Sequence, residues 1–220
     1  MFEAFNHSGK IIGHILKTES HVVFFGNSKG TLETLQFVFP DWKFLGLKQI
    51  HSSAWTVSQK EPIKADAHFT SKTKKALYIK TADCMPIMLA ISGSIAAIHA
   101  GWKGIANGII TAMPAKFNGA KAYIGPHIGR HSFKVGNEVI DKLMKAPVLN
   151  KYFSVNFCID CPEPNKAYID LAKMAQYQLQ KSGITAIEQL DNNTFSHLNY
   201  YSYRRDGASS GRQISFIVRL

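Results

Sequence analysis

"KALYIKTADCMPIMLAISGSIAAIHAGWKG", Lys75 to Gly104, sets the fold class of the chain. Two apolar runs, KALYIKTADCMPIMLA and SIAAIHAGWKG, flank the turn ISGS and read as two core strands. Each carries a polar residue where the apolar run meets Gly, Asp or Pro: Asp83 and Cys84 ahead of Pro86, and His99 ahead of Gly101. Strand ends of this kind are where α/β proteins place their chemistry.

On the N-terminal side, KIIGHILKT and HVVFFGN are two early strands, with β-branched and aromatic residues running up to Gly or polar punctuation. GTLETLQFVFP is a short element ended by Pro40, and FLGLKQIHSSAWTV reads as a strand ending near His51. Downstream, ANGIITAMPAKF reads as a helix and KAYIGPHIG as a strand entering a tight Gly-Pro turn. The spacing of Val139, Ile140, Leu143 and Met144 predicts a helix over Asn137 to Met144. A second helix, DLAKMAQYQLQKSG, buries Leu171, Met174, Ala175 and Leu179, with Asp170 as N-cap and Gly183 as its stop. RQISFIVRL closes the sequence as a strand, and neither an internal repeat nor a linker is visible.

With 45% hydrophobic and 19% charged residues, 14 Phe, 8 Tyr and 3 Trp, the composition is that of a packed globule. A length of 220 residues suits a single domain spanning 1–220. No apolar window approaches ~18 residues and the N-terminus lacks a signal-peptide pattern, so the expectation is a soluble, cytoplasmic protein without a membrane partner. Three cysteines at uneven spacing argue against a secreted disulfide scaffold. The formal charge of +11 favours anionic partners, but the basic residues are spread along the chain and form no nucleic-acid-binding arm.

His51, Cys84 and His99 are the candidate metal ligands. Each ends a candidate strand, so the three can converge, and imidazole with thiolate suits Zn²⁺ while leaving a position for water or substrate. Ordinary core packing accounts for the same residue types. Asp83 is either a proton handler for a metal-bound water or a carboxylate accepting backbone N–H bonds in the turn before Pro86. Alternatively, Cys84 acts as a nucleophile activated by His99 or His51, with the AGWKG backbone as oxyanion hole. Cys158 and Cys161 form a CxxC without a second pair, and His68, His127 and His131 are further candidate ligands or substrate contacts. In YYSYRRDGASSGRQ, Arg204 and Arg205 offer guanidinium forks for an anion; on a strand they would point to opposite faces, making one the anion contact and the other structural. No P-loop or dinucleotide fingerprint follows a suitable strand.

Through KQIH, TADCMPIML, IHAGWKG, YIGPHIG and YYSYRRDGASSGR, roughly Phe44 to Leu220, the chain resembles the multicopper polyphenol oxidoreductase (laccase-domain) family, whose members are also described as purine nucleoside phosphorylases. The resemblance implies a mixed-sheet α/β/β/α sandwich, of α+β or α/β class, with the metal site in a cleft near strand ends. It implies His51, Cys84 and His99 as metal ligands and one Zn²⁺ per chain. The activity it implies is phosphorolysis of adenosine, inosine, guanosine and methylthioadenosine, together with hydrolytic deamination of adenosine. Purine nucleosides and inorganic phosphate would be the partners of a monomer or small homo-oligomer.

On that reading Asp83, Cys84 and Arg204 are catalytic, and Lys29, Lys103, His127, Arg204 and Arg205 bind substrate. Copper-dependent polyphenol oxidation is the alternative, set second because one cysteine and two histidines do not accumulate the electrons a laccase needs. A non-catalytic phosphate- or RNA-binding protein is the third. The chain departs from the family pattern at FFGNSKGTLE, where an expected arginine is absent and Lys29 is the replacement charge, and at Asn193 and Thr194, where a Cys-Thr pair is common.

Overall fold

The structure is a computed structural model and describes residues 1–149 and 157–220. Two six-stranded mixed sheets lie face to face. The first has the order β1 (Glu3–His7), β2 (Lys10–Lys17), β3 (His21–Gly26), β15 (Gln213–Arg219), β7 (Lys75–Thr81) and β4 (Lys43–Leu45). The second has the order β14 (Ile187–Gln189), β10 (Lys121–Ile124), β8 (Met85–Ile91), β9 (Ser94–Ala100), β6 (Ala67–Thr70) and β5 (Trp55–Val57). A small antiparallel sheet of β11 (Lys134–Gly136), β13 (Lys166–Ile169) and β12 (Cys158–Asp160) stands apart from both.

Period-two geometry sends alternate side chains of each central strand into different layers. On β8, Met88 and Ala90 enter the space between the sheets, where they meet Leu77, Ile79, Val23, Phe25 and Ile217. Met85, Ile87 and Leu89 point the other way. There they pack on α2 (Trp102–Ala106), α3 (Asn137–Met144) and α4 (Leu171–Lys181), through Ile105, Val139, Leu143, Met174 and Leu179. Beyond the first sheet, Phe24, Phe216 and Ile214 pack with Leu35 of α1 (Leu32–Val38). The four layers are helix, sheet, sheet, helices, a mixed α/β fold. Both faces of the central strands are covered, which is why those strands are apolar throughout.

Several elements differ from the sequence reading. KALYIKTADCMPIMLA is two strands in different sheets, β7 and β8, broken at Ala82-Asp83-Cys84. Asp83, at φ 80°, makes the turn that passes the chain between the sheets. GTLETLQFVFP forms α1, capped by the Thr31 side chain, which accepts from the Thr34 N–H. FLGLKQIHSSAWTV supplies only β4 and β5, and the segment between them is loop. ANGIITAMPAKF is not a helix: α2 ends at Ala106, Gly108 takes a positive φ of 80°, and turns lead through Pro114 into a 3-10 turn at Ala115–Phe117. The α3 and α4 readings agree with the structure, including the Asp170 cap on the Lys173 N–H, although Met144 is exposed.

Candidate functional site

Three segments converge at one end of the space between the sheets. Cys84 leaves the Asp83 turn just before β8, and His99 stands across from Pro86 in the β8–β9 hairpin. His51 arrives on the loop between β4 and β5, which Gln49 moors to β7 by accepting from the Lys80 N–H and donating to the Lys80 carbonyl, both at 2.8 Å. Ligand atoms of His51, Cys84 and His99 all lie within 4.8 Å of one another, a group that could hold a metal ion. His51 Nε2 is 3.9 Å from Cys84 Sγ, and the two imidazole rings are edge to face at 4.8 Å. Gly101 leaves room for the sulfur, since a Cβ at that position would lie 2.8 Å from Cys84 Sγ.

Beneath the cluster is Asp66, a residue the sequence reading passed over. Its buried carboxylate accepts from His99 Nδ1 at 2.8 Å, the His51 N–H at 3.0 Å, and the Ser52 N–H and hydroxyl at 2.6 and 2.7 Å. Burial alone would raise the Asp66 carboxyl, but the His99 and Ser52 hydrogen bonds outweigh it and hold the group well below the ordinary carboxylate value. Burial likewise opposes charge on Cys84, yet the His99 charge and hydrogen bonds from both histidines bring the thiol down to about 6. His99 moves the opposite way, to about 9, because the Cys84 and Asp66 charges outweigh its burial.

The cluster opens into a cleft of about 790 Å³. Trp102, Phe133 and Tyr203 supply aromatic walls, and Lys80, Lys103, Arg204 and Arg212 supply cations. The Arg204 guanidinium lies 5.4 Å over the Phe133 ring and Lys103 Nζ 5.7 Å from the Trp102 ring. Asp83 also faces the cleft, but both its oxygens are engaged: Oδ1 accepts from the Thr194 hydroxyl at 2.7 Å and Oδ2 from the Arg204 N–H at 2.6 Å. Neither donor belongs to the turn before Pro86.

The remaining candidate contacts are placed elsewhere. Arg204 and Arg205 lie on a helical turn, α5 (Tyr203–Asp206), so the strand argument for opposite faces does not hold. Arg205 is committed to Asp206 and to the carbonyls of Thr194, Phe195 and Tyr200. His127 is buried with Nδ1 bonded to the Gly125 carbonyl, Lys29 is an exposed residue of the loop before α1, and neither lines the cleft. His68 is fully buried between the sheets, not in a loop. Cys158 lies on β12, away from the three-residue cluster. At the departure from the family pattern, Asn193 accepts from the Gly129 N–H and donates to Ser132, tying down the turn after β10.

The model of one family, multi-copper polyphenol oxidoreductase laccase, matches residues 26–220. A purine nucleoside phosphorylase of Haemophilus influenzae is 32% identical over 162 residues, 70% of this chain, and the aligned stretch spans 65% of that relative's length. A purine nucleoside phosphorylase of Pseudomonas aeruginosa is 31% identical over 188 residues, 81% of this chain and 73% of its own. A protein named adenosine deaminase, from an unknown prokaryote, is 33% identical over 167 residues, 70% of this chain and 62% of its own. In fold, the chain is similar to a Bacillus licheniformis hypothetical protein, with a TM-score of 0.80, 21% identity and coverage of 90% and 92% of the two chains. A Neisseria meningitidis protein gives a TM-score of 0.76 at 23% identity, covering 99% and 98%. The chain belongs to the family whose model it matches.

Two imidazoles and one thiolate are the His₂Cys donor set of copper electron-transfer sites. The zinc ion expected from the resemblance therefore gives way to copper. Zinc-dependent phosphorolysis and deamination of purine nucleosides, the main reading built on that ion, gives way with it. The donor set and the family match favour the copper-dependent alternative.

Proposed function

We propose that this member of the multi-copper polyphenol oxidoreductase laccase family is a copper-dependent oxidoreductase that removes single electrons from anionic phenols. The observation that carries the reading is the convergence of His51, Cys84 and His99 at the mouth of an aromatic, cation-lined cleft. Bound there, copper supplies a one-electron acceptor in a set of two imidazoles and a thiolate. Among the described residues this is the one group placed to hold a metal, so a single copper held there would take one electron from each phenol, and each electron would pass on to dioxygen and leave as superoxide.

The residues of the chain do the rest. Trp102, Phe133 and Tyr203 offer faces for an aryl ring. Lys80, Lys103, Arg204 and Arg212 hold an anionic substituent, and among the described residues no carboxylate on the cleft wall has a free oxygen to oppose it. A phenol that loses one electron also sheds its hydroxyl proton. Since Asp83 is fully engaged and His51 is exposed, that proton leaves to water at the cleft mouth.

Copper-loaded protein is to be assayed for copper content and for oxygen consumption with a carboxylated phenol and its neutral methyl ester. The expected outcome is one copper per chain and a KM for the carboxylate at least about tenfold below that of the ester, a gap of ~1.4 kcal/mol, narrowing at high salt. Absence of copper uptake, absence of oxygen consumption, or phosphate-dependent release of base from inosine by copper-free protein would overturn the reading.

A further inference from the structure

We infer that Asp66 is the positioning residue of the metal cluster, setting one histidine through its ring and the other through its backbone. The inference rests on the metal-site reading above. Asp66 has no exposed surface, and its carboxylate receives three consecutive N–H groups, those of Ile50, His51 and Ser52, besides the Ser52 hydroxyl and His99 Nδ1.

Each bond has a consequence for a ligand. A carboxylate accepts only, so the proton shared with His99 sits on Nδ1, which leaves the Nε2 lone pair for the metal. On the other side, His51 has a φ of 58°, an uncommon conformation for a residue with a side chain. The N–H groups on both sides of its Cα, its own and that of Ser52, are pinned to the same carboxylate, which holds the loop in that conformation and keeps the ring near Cys84. One group thereby fixes a tautomer on β9 and a backbone angle on the β4–β5 loop.

Asparagine in this position separates positioning from mere support. It keeps the shape and one acceptor oxygen but replaces the other with an NH₂ donor. If that donor faces His99, Nδ1 must give up its proton to Nε2, the nitrogen the metal needs; if it faces the loop, the N–H groups of residues 50–52 lose an acceptor. Both arrangements cost metal affinity.

The test compares wild type, Asp66→Asn and Ser52→Ala for copper(I) affinity by chelator competition, with circular dichroism as the fold control. Copper(I) is diamagnetic, so ¹H–¹⁵N spectra of the loaded wild type also report the His99 tautomer. The expected results are a His99 proton on Nδ1, affinity weakened by about 10- to 100-fold in Asp66→Asn, and a change within about threefold in Ser52→Ala, which removes only one hydroxyl donor. A proton on Nε2 in wild type, or a folded Asp66→Asn that binds copper(I) within about twofold of wild type, overturns the inference while leaving the metal reading intact. A wild type that takes up no copper(I) overturns both. Should Asp66→Asn not fold, the wild-type tautomer decides alone.

Discussion

Cys84 shows how a single side chain takes its character from its neighbours. In an apolar surrounding its thiol would stay protonated, but the His99 charge and two imidazole hydrogen bonds bring it down to about 6 from an ordinary value of 9.0. Because the folded pKa is the lower one, the thiolate is present above about 6 and lost only as pH falls through that value. Iodoacetamide modification of the metal-free protein is therefore expected to rise with pH around a midpoint near 6, as peptide mass analysis of the Cys84 fragment would report; a midpoint near 9 would refute the thiolate. Copper loading should protect the same peptide. Strand-end placement singles out Cys84, His51 and His99, but Asp66, 33 residues from His99, is one acid among 15 until the chain folds.

The junction between β7 and β8 is where one apolar run changes sheets. A run of alternating residues does not say where a strand leaves one sheet for the other when both of its faces are buried in each; only Asp83, a non-glycine at φ 80°, marks the place. The residues of both strands are therefore legible in the sequence, and the break between them is not. Missing the helix at Leu32–Val38 has a different cause, since its core contact is carried by Leu35 while Phe37 faces solvent and blurs the period. At the junction the Asp83 carboxylate binds the Thr194 hydroxyl and the first turn of α5, which brings Arg204 to the cleft. Asp83→Asn cannot accept both donors and is expected to destabilise the protein by about 1–3 kcal/mol in urea unfolding, with faster proteolysis in the 194–205 segment. Unchanged stability together with lost activity would instead make Asp83 a proton handler. At the end of β9, Gly101→Ala puts a methyl against Cys84 Sγ; weaker copper binding by at least about tenfold, with circular dichroism unchanged, is the expected result.

The four layers are legible in the sequence because the apolar runs are long, and the polar groups sealed between the sheets are not. His68 is one of these. It stands on β6 facing the first sheet, with no exposed surface, and among the described residues the Tyr78 backbone offers its ring a polar contact that only partly offsets burial. Burial depresses its pKa to about 3 from an ordinary 6.5. Below pH 6.5 the unfolded chain takes up a proton at this position that the folded chain refuses, so stability falls as the medium is acidified, by about 1.4 kcal/mol per pH unit until the folded value is reached. His68→Leu keeps a comparable volume, removes two buried polar ring nitrogens and abolishes this proton linkage. The variant is expected to be more stable than wild type by about 1–3 kcal/mol at pH 7.5. For a chain of this size, that raises Tm by several degrees, roughly 2–4 °C for each kcal/mol. The margin should widen steadily as pH drops from 6.5 towards 5, a trend that a simple packing gain would not produce. Thermal melts of both proteins across that range decide the matter: a constant margin would place the His68 ring in contact with a hydrogen-bond donor or acceptor that keeps its titration ordinary, and a destabilised variant would make the imidazole a structural member of the inter-sheet layer.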